Sequence, residues 1–217
     1  MTIEKQEQAT RTLEPYFYND FLMDGKYDLP LVGKQKIDLT DLKLIRFSNI
    51  VKDENEEKDA TVHFFEFDNK FDEVWKNPKD YIGKLKQYKQ VLSPNFSLYT
   101  TMSVALQIFN TFRSRWCADY WQRNGMTVIP TVVWSDEHSY DFAFDGIEEG
   151  SIVALSTVGC SDYKRLFMKG FNEMCKHIKP EKVICYAKPF EEMRDLADLV
   201  EVPYVRNERI APAKVYS

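Results

Sequence analysis

The fold turns on residues 91–134, VLSPNFSLYTTMSVALQIFNTFRSRWCADYWQRNGMTVIPTVVW. Val91-Leu92 is an apolar pair running into the polar turn Ser93-Pro-Asn-Phe-Ser97, which reads as a short strand and the loop after it. Thr100 or Thr101 can cap a following helix, because a hydroxyl oxygen accepts from the unpaired N–H groups of a first turn. Val104, Ile108, Phe109, Phe112, Trp116 and Tyr120 recur at spacings of three and four, so this helix is expected to lay that face on a sheet. Gly125 supplies a left-handed stop. Met126 to Trp134 is the next strand, and Pro130 removes one ladder donor, predicting an edge position or a bulge. Strand, helix and strand in this order make a parallel βαβ unit.

The alternation continues in both directions. Ser151 to Ser156 is an apolar run after the Glu148-Glu-Gly150 turn, and the next helix carries Tyr163, Leu166, Phe167, Gly170, Phe171, Met174 and Ile178 on one face before Pro180. The embedded Gly170 costs about 1 kcal/mol relative to Ala, which implies close packing against a neighbour. Lys182 to Tyr186 is a further strand, Phe190, Met193, Ala197 and Val200 mark a last helix, and Val202 to Arg206 a final short strand. Toward the N-terminus, Phe71, Val74, Trp75, Ile82 and Leu85 suggest helical segments interrupted at Pro78. Leu42 to Ile50 and Thr61 to Phe67 read as a β-hairpin joined by the charged stretch 52–59. Residues 1–40, broken by Pro15, Gly25, Pro30 and Gly33, form an irregular arm laid over the core. The predicted fold class is therefore α/β, with a mostly parallel sheet from successive βα units, an N-terminal β-hairpin and an irregular arm. Residues 41–217 make a single domain. Strands starting near 90, 127, 151 and 182 fit an open sheet or a partial β/α barrel equally.

Composition sets outer bounds. Hydrophobic residues are 44% and charged residues 29% of the 217, ordinary for a chain that buries a core, and the 14% of aromatic residues predicts a ring-rich interior. A net charge of −5 disfavours broad attraction to phosphate backbones. Cys117, Cys160, Cys175 and Cys185 have no CxxC spacing and read as reduced, structural thiols. The polar N-terminus lacks an apolar secretory core and no long apolar run follows, so a soluble cytoplasmic protein, with no membrane contact, is expected.

In either architecture ligands bind at the carboxyl ends of the strands. That rule selects the loops at 93–97, 134–138, 156–159 and 186–188, whose small polar residues suit an anion or a sugar-like ligand. Asp136 with His138 could ligate a divalent metal, or Glu137 could act as a base with His138 setting its charge, while a solvated turn explains the same residues. Ser156 and Thr157 open a loop before a helix and could receive phosphate, although helix capping accounts for them and no Walker A or GxGxxG pattern accompanies them. Ser156, His138 and Asp136 also sketch a catalytic triad, but no GxSxG surrounds the serine. Arg113 and Arg115 interleave with Trp116 and Trp121, a mix that can stack nucleobases, yet two positions apart they cannot share a helix face, so one of them is structural.

The stretches SPNFSLY (93–99), NTFRSRWCADYWQRNG (110–125), VIPTVVW (128–134), FAFDGI (142–147) and SIVALSTVG (151–159) resemble the bacterial and phage family DUF4417. The resemblance covers about residues 40–190 and implies a shared fold and a phage or mobile-element setting. It brings no activity, cofactor or catalytic residue.

Three functions stay open. The first is an enzyme or ligand-binding domain, with Asp136 and His138 as catalytic candidates and Asn95, Arg113, Ser156 and Thr157 binding an unknown small ligand or phosphate-containing molecule. The second is an interaction protein engaging a host or replication protein. The third is a single-stranded nucleic-acid binder. Cofactor and metal stay unassigned.

Overall fold

Short strands buried on both faces build the protein. The computed structural model describes residues 2–6, 21–52, 57–204 and 210–212. An antiparallel hairpin pairs β1 (Met23–Asp24) with β2 (Leu29–Pro30). Four parallel strands then neighbour one another in chain order: β3 (Lys43–Arg46), β4 (Thr61–His63), β5 (Gln90–Leu92) and β6 (Val128–Ile129). A second parallel set follows with β7 (Val153–Ser156), β8 (Val183–Tyr186) and β9 (Leu199–Val202). β10 (Ile210–Pro212) runs antiparallel along the outer edge of β3. Every residue of β4, β5 and β8 is buried, as expected of parallel strands covered on both sides.

Pro130 marks the seam between the two sets. The Ala154 N–H donates to Pro130 O at 2.9 Å and the Val132 N–H donates to Ala154 O at 2.8 Å, giving a parallel bridge between Thr131 and Ala154. From β3 to β9 the spatial order is thus the chain order. The proline sits inside this run, not at an edge; its missing N–H interrupts the ladder there.

The sheet curls. The His63 ring on β4 lies 4.9 Å from the Tyr186 ring on β8, although β5, β6 and β7 intervene. In a flat sheet four inter-strand steps would separate them by roughly 19 Å. Leu44, Leu92, Ile129, Ala154, Ile184 and Val202, from six strands, form one cluster with Tyr186 on the inner side. A partial β/α barrel accounts for this; among the described residues no ladder closes β9 onto β10.

Helices cover the outside. α1 (Phe47–Lys52) links β3 to β4; α2 (Glu73–Lys76) and α3 (Pro78–Leu85) link β4 to β5. α4 (Val104–Arg123) links β5 to β6, and α5 (Lys164–Ile178) links β7 to β8. Gly125, at φ 79°, takes the left-handed conformation that stops α4. α5 buries Phe167, Phe171, Met174 and Ile178. A Cβ on its Gly170 would stand 2.1 Å from Trp134 Nε1, so the glycine is what lets helix and indole meet.

Four expectations need correction. Residues 42–50 and 61–67 are not a hairpin: β3 and β4 run parallel, with α1 between them burying Phe47 and Ile50 one turn apart. The N-terminal hairpin lies instead at 23–30, within the stretch read as an arm. The last predicted helix is a 3₁₀ turn, Glu191–Asp195, and Val200 belongs to β9, so the final parallel strand begins before Val202. Residues 205 and 206 of that prediction lie outside the described residues.

Fourth, α4 turns a different face inward from the one its apolar spacing predicts. Val104 and Phe109 are exposed, whereas Gln107, Asn110, Thr111, Ser114 and Arg115 are buried. The helix spans loops whose carbonyls need donors, and its polar stripe supplies them. Gln107 Nε2 donates to Tyr99 O and Met102 O, Asn110 Nδ2 donates to Ser97 O, and Arg115 donates to the carbonyls of Thr131, Ala143 and Asp145 at 2.8–3.1 Å.

Candidate functional site at the carboxyl ends of the strands

A cavity of about 520 Å³ opens where the parallel strands end. Its wall follows the strand order. Arg46 stands at the end of β3, and Phe65, Glu66, Phe67 and Lys70 follow β4. Asn95, Ser97, Leu98 and Tyr99 come from the loop after β5; Val132, Val133 and Trp134 follow β6. Leu155, Ser156, Val158 and Cys160 belong to the end of β7 and its loop, with Phe167 of α5 behind them and Tyr204 after β9.

The floor is aromatic. Phe65 stacks on Tyr186 at 5.1 Å and 9°, and Tyr186 meets Tyr204 edge-on. Beneath them His63 is fully enclosed. Its Nδ1 accepts the Phe65 N–H at 3.1 Å, which leaves the proton of the neutral ring on Nε2. Burial, reinforced by the Arg46 charge, pushes its pKa down to about 3, so the ring is uncharged at neutral pH. Burial raises the Tyr186 phenol, and a hydrogen bond from Arg46 partly offsets that rise.

The rim is held by part-buried polar contacts. Asp68 accepts from the Ser97 N–H at 3.1 Å and from its hydroxyl at 2.8 Å, while Asn110 of α4 holds the Ser97 carbonyl. Glu66 is spent on α1: it accepts the Ser48 N–H at 3.0 Å and the Ser48 hydroxyl. Four side chains around the opening nevertheless expose large apolar surface, namely Phe67 at 80%, Tyr99 at 58%, Val158 at 48% and Tyr204 at 44%. Apolar surface gathered at the mouth of a cavity is a signature of a binding site.

The residues singled out from sequence part company here. Asn95 and Ser156 line the cavity, and Ser156 Oγ also accepts the Val158 N–H at 3.1 Å. Thr157 is buried beside it, donating to Lys188 O at 2.9 Å. Arg113 lies outside the cavity, stacked 3.8 Å over Phe96 and paired with Asp72 at 2.9 Å. Asp136 and His138 also lie outside it. The Asp136 carboxylate accepts the His138 N–H at 3.1 Å, and the imidazole is 71% exposed. Among the described residues no group of three or more His, Cys, Asp or Glu side chains is placed to hold a metal. Trp116 is fully buried, edge-on to Trp75 and stacked with Tyr120, so α4 does not offer it to a nucleobase.

Arg46, Glu66 and Lys70 escaped the sequence reading. Reading β3 and β4 as antiparallel sends their ends to opposite rims; the parallel pairing brings Arg46 and residues 65–70 to the rim that carries Asn95 and Ser156. The available signal was Phe47 and Ile50, three apart, which marks a short helix rather than a continuing strand.

The class defined by these features is a curled, parallel β/α protein with an open strand-end cavity. The chain belongs to the family described as "Domain of unknown function (DUF4417)", which it matches over residues 21–204. It is 38% identical over 150 residues to the "Gene 1 protein" of Mycobacterium phage L5, covering 68% of this chain and 63% of that protein. It is 37% identical over 132 residues to the "Gene 1 protein" of Mycobacterium phage D29, covering 59% of this chain and 49% of that protein. The chain thus spans about half of one of these relatives and just under two thirds of the other. No solved structure matches it. The phage setting implied by the resemblance agrees with these relatives.

Proposed function

We propose that this domain binds a small organic molecule in the strand-end cavity, either to transform it or to sense it, as part of a phage or mobile-element function in the cytoplasm. The observation that carries the reading is the cavity itself, about 520 Å³ in volume, at the end of a parallel sheet where such folds keep their ligands. The compartment is supported by four cysteines without a disulfide and by the absence, among the described residues, of any helix long and apolar enough to cross a membrane. In the catalytic form of the reading, Asn95 and Ser156 contact the ligand, Thr157 positions the loop of Ser156 through its bond to Lys188, and Asp136, His138 and Arg113 act from the periphery.

Thermal denaturation of the full chain against a metabolite library tests it. A true ligand raises the midpoint of the wild-type protein and has no effect on Asn95→Trp, which builds a ring into the cavity. Hits that stabilise both proteins equally, or no hits, refute the reading.

A second reading, an interaction protein for a host or replication partner, draws on the exposed Val104, Leu106 and Phe109 at the start of α4. Loss of a captured partner on Leu106→Asp with Phe109→Ser, while Asn95→Trp keeps it, would favour this alternative.

A further inference from the structure

Resting on the cavity reading, we infer that the ligand is an organic anion with a planar ring, its charged group held beside β3 and β4 and its ring beside β6 and β7. The basis is the division of the wall. The β3–β4 side lines the cavity with two cations, Arg46 and Lys70, and one carboxylate, Glu66, while the Asp68 carboxylate at the rim is taken up by Ser97. Glu66 already accepts two hydrogen bonds from Ser48 at the start of α1. Among the described residues the Lys70 ammonium pairs with no carboxylate. A cation left unpaired at the lip of a cavity, in a chain of net charge −5, marks where a negative group is accepted.

The opposite side has different chemistry. Val132, Val133, Trp134, Leu155 and Phe167 supply an apolar wall with no charge. Phe67 and Tyr99 stand exposed at the rim, where a flat ring can slide between them and the wall. The Asn95 amide and Ser97 hydroxyl, after β5, lie between the two halves, and Ser156 at the end of β7 adds a hydroxyl on the ring side, suited to the polar linker of such a molecule. A cavity of about 520 Å³ falls within the roughly 300–1,000 Å³ range of small-ligand sites, large enough for a ring and an anionic group together. Phosphate and carboxylate both present negative oxygens to Lys70 and Arg46, so the ring-bearing anion is the shared chemistry.

The test is isothermal titration of the full chain with paired probes: nucleoside monophosphates against their nucleosides, aromatic carboxylates against their amides, and inorganic phosphate alone. The expected result is that at least one anion series binds about tenfold or more tightly than its neutral parents, and that phosphate alone binds far more weakly. Lys70→Glu should erase that preference without changing affinity for the neutral parents, and Phe67→Ala should weaken both. Both side chains are exposed, and circular dichroism checks that the variants fold. Which series responds distinguishes phosphate from carboxylate. Neutral parents binding as tightly as their anions, or indifference to Lys70→Glu, overturns the anion assignment while leaving a ligand cavity in place. Silence from every probe also overturns it; the cavity reading is judged separately by the metabolite library and Asn95→Trp.

Discussion

Acidification should unfold this protein partly through one side chain, His63. The imidazole sits inside the curled sheet, against Tyr186 and Phe65, with its Nδ1 committed to the Phe65 N–H. Burial first, and the Arg46 charge second, hold its pKa down to about 3, against an unfolded value near 6.5. Between those values the unfolded chain binds the proton and the folded chain does not, so stability falls as pH falls. The loss begins below about pH 6.5, grows by about 1.4 kcal/mol per pH unit, and reaches roughly 3 kcal/mol at pH 4.5. His63→Asn keeps an acceptor for the Phe65 N–H but removes the titration. Urea unfolding of both proteins at pH 7 and pH 4.5 isolates the effect, because carboxylate titration is common to the two. The gap between wild type and variant should shift by about 3 kcal/mol in the variant's favour at the lower pH. A gap that stays constant with pH would refute the enclosed neutral histidine, and with it the curled sheet that encloses it.

Other substitutions probe the scaffold around the cavity. Arg115→Met removes the donors to three buried carbonyls and should cost on the order of 3 kcal/mol or more in urea unfolding. Gly170→Ala, stabilising by about 1 kcal/mol in an open helix, should instead destabilise by roughly 1–3 kcal/mol, because its Cβ would strike Trp134. Ser97→Ala deletes the hydroxyl bond to Asp68 and should cost about 1 kcal/mol while weakening ligand binding, measured by denaturation and titration. Asp136→Ala and His138→Ala should leave ligand affinity unchanged; loss of turnover without loss of binding would assign them a catalytic part.

The location of the cavity was legible before its lining was. Val91-Leu92, the long helix and the apolar runs at 128–134, 151–156 and 182–186 announce parallel strands, and parallel strands announce the end at which ligands bind. Asn95 and Ser156 follow directly from that rule. Curvature was not legible, because it shows in contacts such as that of His63 with Tyr186, between residues far apart in the chain with no local pattern to pair them. Hydrophobic periodicity also misread α4, since it weighs apolar residues alone. Gln107, Asn110 and Arg115 are buried because loop carbonyls need them, a demand set by tertiary structure. The polar run at 135–141 reads as chemistry in sequence, yet Asp136 spends its carboxylate on its own turn. Whether a polar loop faces a cavity or the solvent depends on backbone direction, which composition does not encode.

The strand-end cavity is proposed as the place where this protein meets its ligand. Methyl-resolved NMR of the full chain, titrated with the tightest stabilising compound, tests it most directly. Shifts should concentrate at Leu98, Val132, Val133, Leu155 and Val158, with Val104 and Leu106 on the outer face of α4 unmoved. Shifts confined to α4, or spread evenly over the molecule, would contradict it.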